Sequence, residues 1–389
     1  MSQPYQLYGM PASLYMAKAR SYLRKQHIPF VERSAGDPHY GAMIAPAVGR
    51  MIMPVLETPE GALVQDGADI IQYFESLDGG VRLPATPDTA VHRAIAHLFE
   101  LFGGEGLLRP AMHYRWNFDE YNLAFLQNEF PAGLLPGADA ETQAQIFDYA
   151  SSRMRKAASG FGVTEESMPL IESSYAEFLA LFSEHLKTSP YLLGGRPTLG
   201  DYGLIAPLFA HLGRDPYPGM MMRREAPAVF RWVERMNVPE QIAVEYGTLS
   251  EALFADDSVP QTLKQLMAYV AAEYLPELEA HVAFANDWLD AHEGIETGTN
   301  GLADAATRFI GKAEFQWRGI PLKTMVMPYR FYLLQQLQDS VAEASEAEQD
   351  VIGRLFAETG LAAMLNLRTH RRVERANHME VWGPDLRGS

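Results

Sequence analysis

Hydrophobic and polar positions along the first 80 or so residues switch repeatedly between strand and helix spacing. Tyr5-Gln6-Leu7-Tyr8 reads as a strand, and Gly9-Met10-Pro11-Ala12 breaks it. Ser13 is a residue type that caps helices, and the pattern predicts a helix from there to about Lys25. Pro29-Phe30-Val31-Glu32 predicts a second short strand, followed by a Gly- and Pro-containing loop from Gly36 to Gly49. Pro54-Val55-Leu56-Glu57 and Ala62-Leu63-Val64-Gln65 predict a hairpin, because Thr58-Pro59-Glu60-Gly61 supplies Pro and Gly where a type I turn favours them. Ile70, Ile71, Phe74 and Leu77 then share one face of a helix. The order β-α-β, loop, β-β-α predicts a small α/β domain.

From Pro87 onward the spacing is helical. Val91, Ile95, Leu98, Phe99 and Phe102 form an amphipathic stripe. Further helices are predicted near Ala140 to Ala158, Met168 to Leu186 and Ala226 to Met236. Leu199 to Leu212 is apolar nearly all round, which predicts a buried central helix. Residues 237–258 read as a linker with a short helix. Leu263, Leu266, Met267, Val270 and Tyr274 then open a helical tail behind Pro260. The tail continues through Trp288, Phe331 to Val341 and Asp350 to Leu367. The basic cluster Arg368 to Arg375 reads as a solvated helix face.

Composition narrows the function classes. The 389 residues carry 32 basic and 49 acidic side chains, a net charge of −17, which argues against a general nucleic-acid binder. There is no cysteine, so disulfides, Cys-zinc sites and a protein-borne thiol are excluded; any thiol chemistry needs a thiol that arrives with a ligand. Met1 to Met10 lacks the features of a secretory signal, and no apolar run approaches the roughly 20 residues that span a bilayer. A cytoplasmic protein without membrane or nucleic-acid partners is expected. His92 and His97 stand five apart, which puts them on different helix faces, and no metal is expected.

Three local signatures carry candidate chemistry. Tyr8-Gly9-Met10-Pro11-Ala12-Ser13 is a strand-turn-helix junction, which aims backbone N–H groups and a positive dipole end at whatever sits there. Ser13 either caps its own helix or donates a hydrogen bond to a ligand. Met53-Pro54 opens an apolar strand, and a cis bond there would turn the Met53 backbone outward toward an extended ligand. In Tyr191 to Tyr202, Thr198 and Asp201 have capping-box spacing and would start the buried helix.

Together and in this order, these segments resemble the cytosolic glutathione S-transferases. Tyr8 to Ser13 is similar to the catalytic-serine segment of the plant phi class, Met53-Pro54-Val55-Leu56 to the family's cis-proline strand, and Gln65 to Ile71 to its acid-Ser-x-Ala-Ile glutathione motif. Tyr191 to Tyr202 is similar to the family's helical-domain capping segment. The resemblance covers roughly residues 1–240, and the chain looks like a longer bacterial branch of the superfamily. It implies a thioredoxin-like domain over 1–82, a glutathione-transferase-like helical domain over 83–240 and a helical C-terminal extension over 241–389. It also implies a detoxification-type transferase, glutathione as co-substrate, an electrophilic small-molecule acceptor and a homodimer.

Residue by residue, the resemblance makes Ser13 the donor that stabilises the glutathione thiolate, with Tyr8 second. A free thiol has a pKa of about 8.5, and lowering it by about 2 units needs about 2.7 kcal/mol of preferential thiolate stabilisation. A charged hydrogen bond of about 1.5–3 kcal/mol and a helix N-terminus of about 0.3–1 kcal/mol match that need. Met53, ahead of Pro54, would offer backbone bonds to the cysteinyl unit, Asp66 would hold the γ-glutamyl end, and Arg50 would reach the glycyl carboxylate. Gly67 stands where the family has the serine that binds the γ-glutamyl carboxylate; it keeps only a backbone N–H. Asp69 stands where the family has alanine and adds negative charge to the same turn. These departures motivate an alternative reading as a non-catalytic ligand-binding or partner-docking protein. His113 and Trp116, within the aromatic stretch His113 to Phe118, are candidates for a second-substrate pocket or for ordinary packing. In the tail, Arg308, Trp317, Arg318, Tyr329, Arg330 and Tyr332 either cover the cleft or pack on the body, and packing is the expectation.

Overall fold

The computed structural model describes residues 3–240, 242–247 and 250–387. The first unit comprises β1 (Tyr5–Gly9), α1 (Leu14–Lys25), β2 (Phe30–Ser34), a wide helical turn (Tyr40–Ile44) continued by α2 (Ala45–Val48), β3 (Val55–Glu57), β4 (Leu63–Gln65) and α3 (Gly67–Glu75). Its four strands lie in the order β2-β1-β3-β4. β1 runs parallel to β2 and antiparallel to β3, and β3 and β4 form the expected hairpin. The segment predicted as a loop over 36–49 is partly helical. Tyr40, Ile44 and Val48 recur at four-residue spacing, and all three are buried against Tyr8 and Val55.

The helical body comprises α4 (Ala90–Leu101) with a wide turn at Phe102–Gly106, α5 (Leu108–Trp116), α6 (Asp119–Leu134), α7 (Ala140–Gly160), α8 (Met168–His185), α9 (Leu199–Ala210), α10 (Pro216–Glu225) and α11 (Pro227–Met236). Every residue of α9 except Phe209 is buried, as its unbroken apolar pattern requires. Asp201 closes the capping box on the Thr198 N–H at 2.9 Å and also accepts from the Leu192 N–H and the Trp232 indole N–H. α9 crosses the turn after α4 backbone to backbone: a Cβ added to Gly103 would lie 2.3 Å from the Gly203 carbonyl carbon.

The extension adds α12 (Gln261–Ala291), β5 (Gly311–Trp317), β6 (Ile320–Val326), α13 (Pro328–Ala342), α14 (Glu346–Glu358), β7 (Arg371–Ala376) and β8 (Met379–Asp385). The helices bear out the helical spacing of the tail, and two hairpins stand among them. β5 buries Ala313, Phe315 and Trp317 and exposes the residues between, a period of two that an overall helical reading passes over. Two-residue loops with positive φ, Arg318-Gly319 and Asn377-His378, reverse the two hairpins. The basic cluster at 368–375 is therefore no solvated helix face: Arg371 onward is strand, and Arg375 is turned inward.

The extension shares the main core. Leu263, Leu266, Met267 and Val270 of α12 and Phe331 and Leu334 of α13 belong to the same buried cluster as α4, α8 and α9. Buried charges tie the parts together: Glu277 on α12 pairs with Arg109 on α5 and with Arg330 on α13, each at 2.6 Å, and Arg330 reaches Glu105 at 3.1 Å. Among the described residues no helix is long and apolar enough to cross a membrane.

Candidate functional site

Ser13 sits at the N-cap of α1 in extended backbone, φ −80° and ψ 126°. Its N–H donates to the Met10 carbonyl at 3.0 Å and its carbonyl accepts from Ala17 N–H at 3.2 Å. The Ser13 hydroxyl makes no hydrogen bond among the described residues, so it does not cap its own helix. Arg115 secures the turn from behind. Its guanidinium donates to the Ala12 carbonyl at 2.8 Å while paired with buried Asp215 at 2.7 Å.

Ser13 opens on a cavity of about 510 Å³ whose walls include Met10, Met53, Trp116, Phe130 and Phe161. That size and apolar character suit a small organic ligand. Trp116 is in this wall, and its indole N–H has no hydrogen-bond partner among the described residues. His113 is not. It is buried one helical turn away against Tyr114 and Phe118, with its Nε2 3.0 Å from Glu172. Tyr8 also faces elsewhere: its hydroxyl donates to Glu57 at 2.9 Å, and burial followed by that carboxylate pushes its pKa up. Tyr15, in the first turn of α1, reaches the cavity but donates to Glu105 at 2.8 Å.

The Met53-Pro54 bond is cis. Tyr40 braces the segment, donating its hydroxyl to the Ile52 carbonyl and accepting from the Ile52 N–H. The Met53 N–H and carbonyl make no hydrogen bond among the described residues. Met53 and Pro54 border a second, much smaller cavity of about 10 Å³, closed by Asp66, Arg308 and Tyr329.

Asp66 caps α3, accepting from Ala68 N–H at 3.1 Å. The extension takes the rest of its carboxylate: Tyr329 donates to one oxygen at 3.0 Å and Arg375 to the other at 2.9 Å. Arg375 also pairs with Asp69 at 3.1 Å and Glu380 at 2.8 Å, and Tyr332 donates to Asp69 at 3.1 Å. Arg50 pairs with Glu380 at 2.9 Å and donates to the His378 carbonyl at 3.1 Å. Gly67 is packed under Lys18, whose side chain would lie 3.1 Å from an added Cβ, so a serine there would be crowded. Burial and then neighbouring Asp66 push Asp69 up to about 6 against the pull of Arg375. Burial likewise raises Glu380, but Arg308, Arg375 and Arg50 outweigh it and hold it at about 2.

The residues expected to hold the two charged ends of glutathione, Asp66 and Arg50, are thus engaged by β7, β8 and α13. The site as folded does not fit a γ-glutamyl group at Asp66. Sequence reasoning set Arg308 and Tyr329 apart as a basic and aromatic mix, but no local pattern marks Arg375 and Glu380 as their companions. Among the described residues no group of three or more His, Asp or Glu side chains is arranged to hold a metal ion.

The chain matches the family model described as glutathione S-transferase, N-terminal domain, over residues 7–82, and that described as glutathione S-transferase, C-terminal domain, over residues 165–235. No curated protein matches the chain in sequence. Among solved structures, glutathione transferase GSTFuA3 from Phanerochaete chrysosporium is 16% identical with a TM-score of 0.43, the match covering 64% of this chain and 100% of that one. The β-etherase LigF from Sphingobium sp. strain SYK-6 is 17% identical with a TM-score of 0.42, covering 63% and 99%. A glutathione S-transferase from Methylobacterium radiotolerans, in complex with glutathione sulfonate, is 19% identical with a TM-score of 0.36, covering 66% and 100%. On a four-stranded α/β unit followed by a helical body, the chain thus carries a glutathione S-transferase N-terminal domain match and a C-terminal domain match, in that order.

Proposed function

We propose that the chain is a transferase of the glutathione S-transferase type that holds a thiol as its thiolate at Ser13 and directs it at an apolar electrophile in the adjoining cavity. In this reading residues 1–82 carry the thiol site, 83–240 the cavity wall, and 241–389 the segment that closes one end. The observation that carries it is the Ser13 hydroxyl, without a hydrogen-bond partner among the described residues, at the N-terminus of α1 and facing a cavity of about 510 Å³. A hydroxyl donor and a helix N-terminus both favour the thiolate over the thiol. The thiol proton leaves to water, the sulfur forms a bond to the electrophilic carbon, and the leaving group departs with the bonding pair.

A second reading, a ligand-binding protein without turnover, is favoured by the pairing of Asp66, Asp69 and Arg50 with the extension. The test is the thiol-dependent consumption of a chloronitrobenzene by wild type and Ser13→Ala, beside a calorimetric titration with reduced glutathione. Transferase chemistry at Ser13 requires turnover that falls tenfold or more in Ser13→Ala, the scale of one lost charged hydrogen bond. Turnover unchanged by the substitution removes Ser13 from the mechanism. Absence of turnover with any thiol leaves the binding-protein reading.

A further inference from the structure

Three features meet where the two cavities adjoin, and one of them, Arg308, also acts through space on Glu380. Among the described residues the Ser13 hydroxyl has no hydrogen-bond partner, the Met53 backbone offers an N–H and a carbonyl, and the Arg308 guanidinium makes no ion pair or hydrogen bond. Arg308 comes from the extension and borders both cavities; its guanidinium carbon lies 5.9 Å from the centre of the Tyr15 ring. An unpaired guanidinium at the rim of a largely apolar cavity is a ready partner for a carboxylate.

Beyond Met53, toward Asp66, the space ends. The cavity of about 10 Å³ has room for about one water molecule. Both Asp66 oxygens are already hydrogen-bonded. The side chains that fill this end are built into the core rather than laid over it. Tyr329 is 4% exposed, its neighbours Arg330 and Phe331 are each 1% exposed, and Trp382 of β8 is equally enclosed. Opening this end would require α13 to leave the main core.

Resting on the transferase reading above, we propose that the thiol this site takes is more compact than glutathione: a cysteine-type thiol without a γ-glutamyl arm. Its sulfur meets Ser13, its amide meets the Met53 backbone, and its carboxylate pairs with Arg308. Cysteinylglycine and N-acetylcysteine have this chemistry; glutathione and γ-glutamylcysteine carry an arm for which the Asp66 end has no room.

The test measures kcat/KM for one chloronitrobenzene with glutathione, γ-glutamylcysteine, cysteinylglycine, N-acetylcysteine and 2-mercaptoethanol, each divided by its uncatalysed rate at the same pH. The expected result is at least a tenfold advantage of cysteinylglycine and N-acetylcysteine over the two γ-glutamyl thiols. Arg308→Gln should remove most of their advantage over 2-mercaptoethanol, which has no carboxylate, and Arg308→Lys should restore part of it. Thermal melts of both variants check that they fold. Glutathione accelerated as well as or better than the truncated thiols overturns the proposal, whether or not the extension moves, and leaves the transferase reading standing. A carboxylate preference that survives Arg308→Gln overturns the role of Arg308. Ser13-independent rates with every thiol would instead overturn the transferase reading itself.

Discussion

Arg375→Met isolates the contact on which the closed end of the site depends. Methionine keeps most of the apolar stem but loses the guanidinium, whose carbon lies 5.5 Å from the Tyr329 ring centre and 5.3 Å from that of Tyr332. It removes a cation that pairs with Asp66, Asp69 and Glu380 at 2.9, 3.1 and 2.8 Å. The Arg375 side chain is 13% exposed and Asp66 and Glu380 less than 10%, so solvent screens the lost attraction poorly. Removing one partner of a buried ion pair costs about 3–5 kcal/mol, because the charge left behind remains desolvated. With an unfolding entropy of about 2.1 cal/mol/K per residue, that loss lowers Tm by about 4–6 °C in a chain of this length.

The pH dependence has a definite sign. Asp69 titrates near 6 in the wild type, above its unfolded value, so its burden on the fold is largest when it is ionised and is relieved as pH falls from 6 toward 4. Without Arg375 its pKa rises further. The deficit of the variant should therefore be full at pH 7.5 and smaller, by roughly 1–2 kcal/mol, at pH 5. Urea unfolding at the two pH values measures both quantities. A loss below about 1 kcal/mol that is equal at both would refute the reasoning, since that is how a solvated surface pair behaves.

Acidification should bring a sharper loss in the wild type. Glu100, Glu277 and Glu380 are each held at about 2, in each case because neighbouring cations overcome burial. Their contribution is complete above the unfolded carboxyl range and is lost as pH falls from about 4.5 to 2. Protonation of Asp69 and Asp201, each raised to about 6 chiefly by burial, works in the opposite direction between pH 6 and 4. Burial lowers the pKa of His185, His211 and His281, so the unfolded chain takes up protons below about pH 6.5 and offsets that gain. The urea midpoint should change little from pH 7 to 5 and collapse below 4.5, and a midpoint unchanged down to pH 3 would contradict this. Asp201→Asn should cost about 2 kcal/mol or more in urea unfolding at pH 7, because its new amide N–H₂ group meets donors from either Thr198 or Leu192 and Trp232. Gly203→Ala should destabilise by about 1–3 kcal/mol, since a Cβ there would stand 2.5 Å from Glu100 Cα; a neutral Tm change would show that α4 and α9 can part.

The α/β unit, the buried helix at 199–210 and the capping box were legible because each is written in near neighbours: alternation, an apolar run, a residue pair three apart. The Ser13 junction and the Met53-Pro54 strand were legible for the same reason. The hairpins of the extension were less so, because their period-two stretches are only seven residues long inside a chain that otherwise reads as helix. Tyr8 and His113 were chosen by proximity along the chain, yet the first turns to Glu57 and the second to Glu172.

By itself, then, the amino-acid sequence determined the α/β unit, most of the helices and the placing of one hydroxyl at one helix N-terminus. Only the tertiary structure decided what shares the site with that hydroxyl. Asp66 meets Tyr329 and Arg375 across separations of 263 and 309 residues, and Arg50 meets Glu380 across 330. Contacts at that range leave no periodicity, spacing or cap in the sequence. They are set by how the extension packs into the core, and packing is a property of the whole fold.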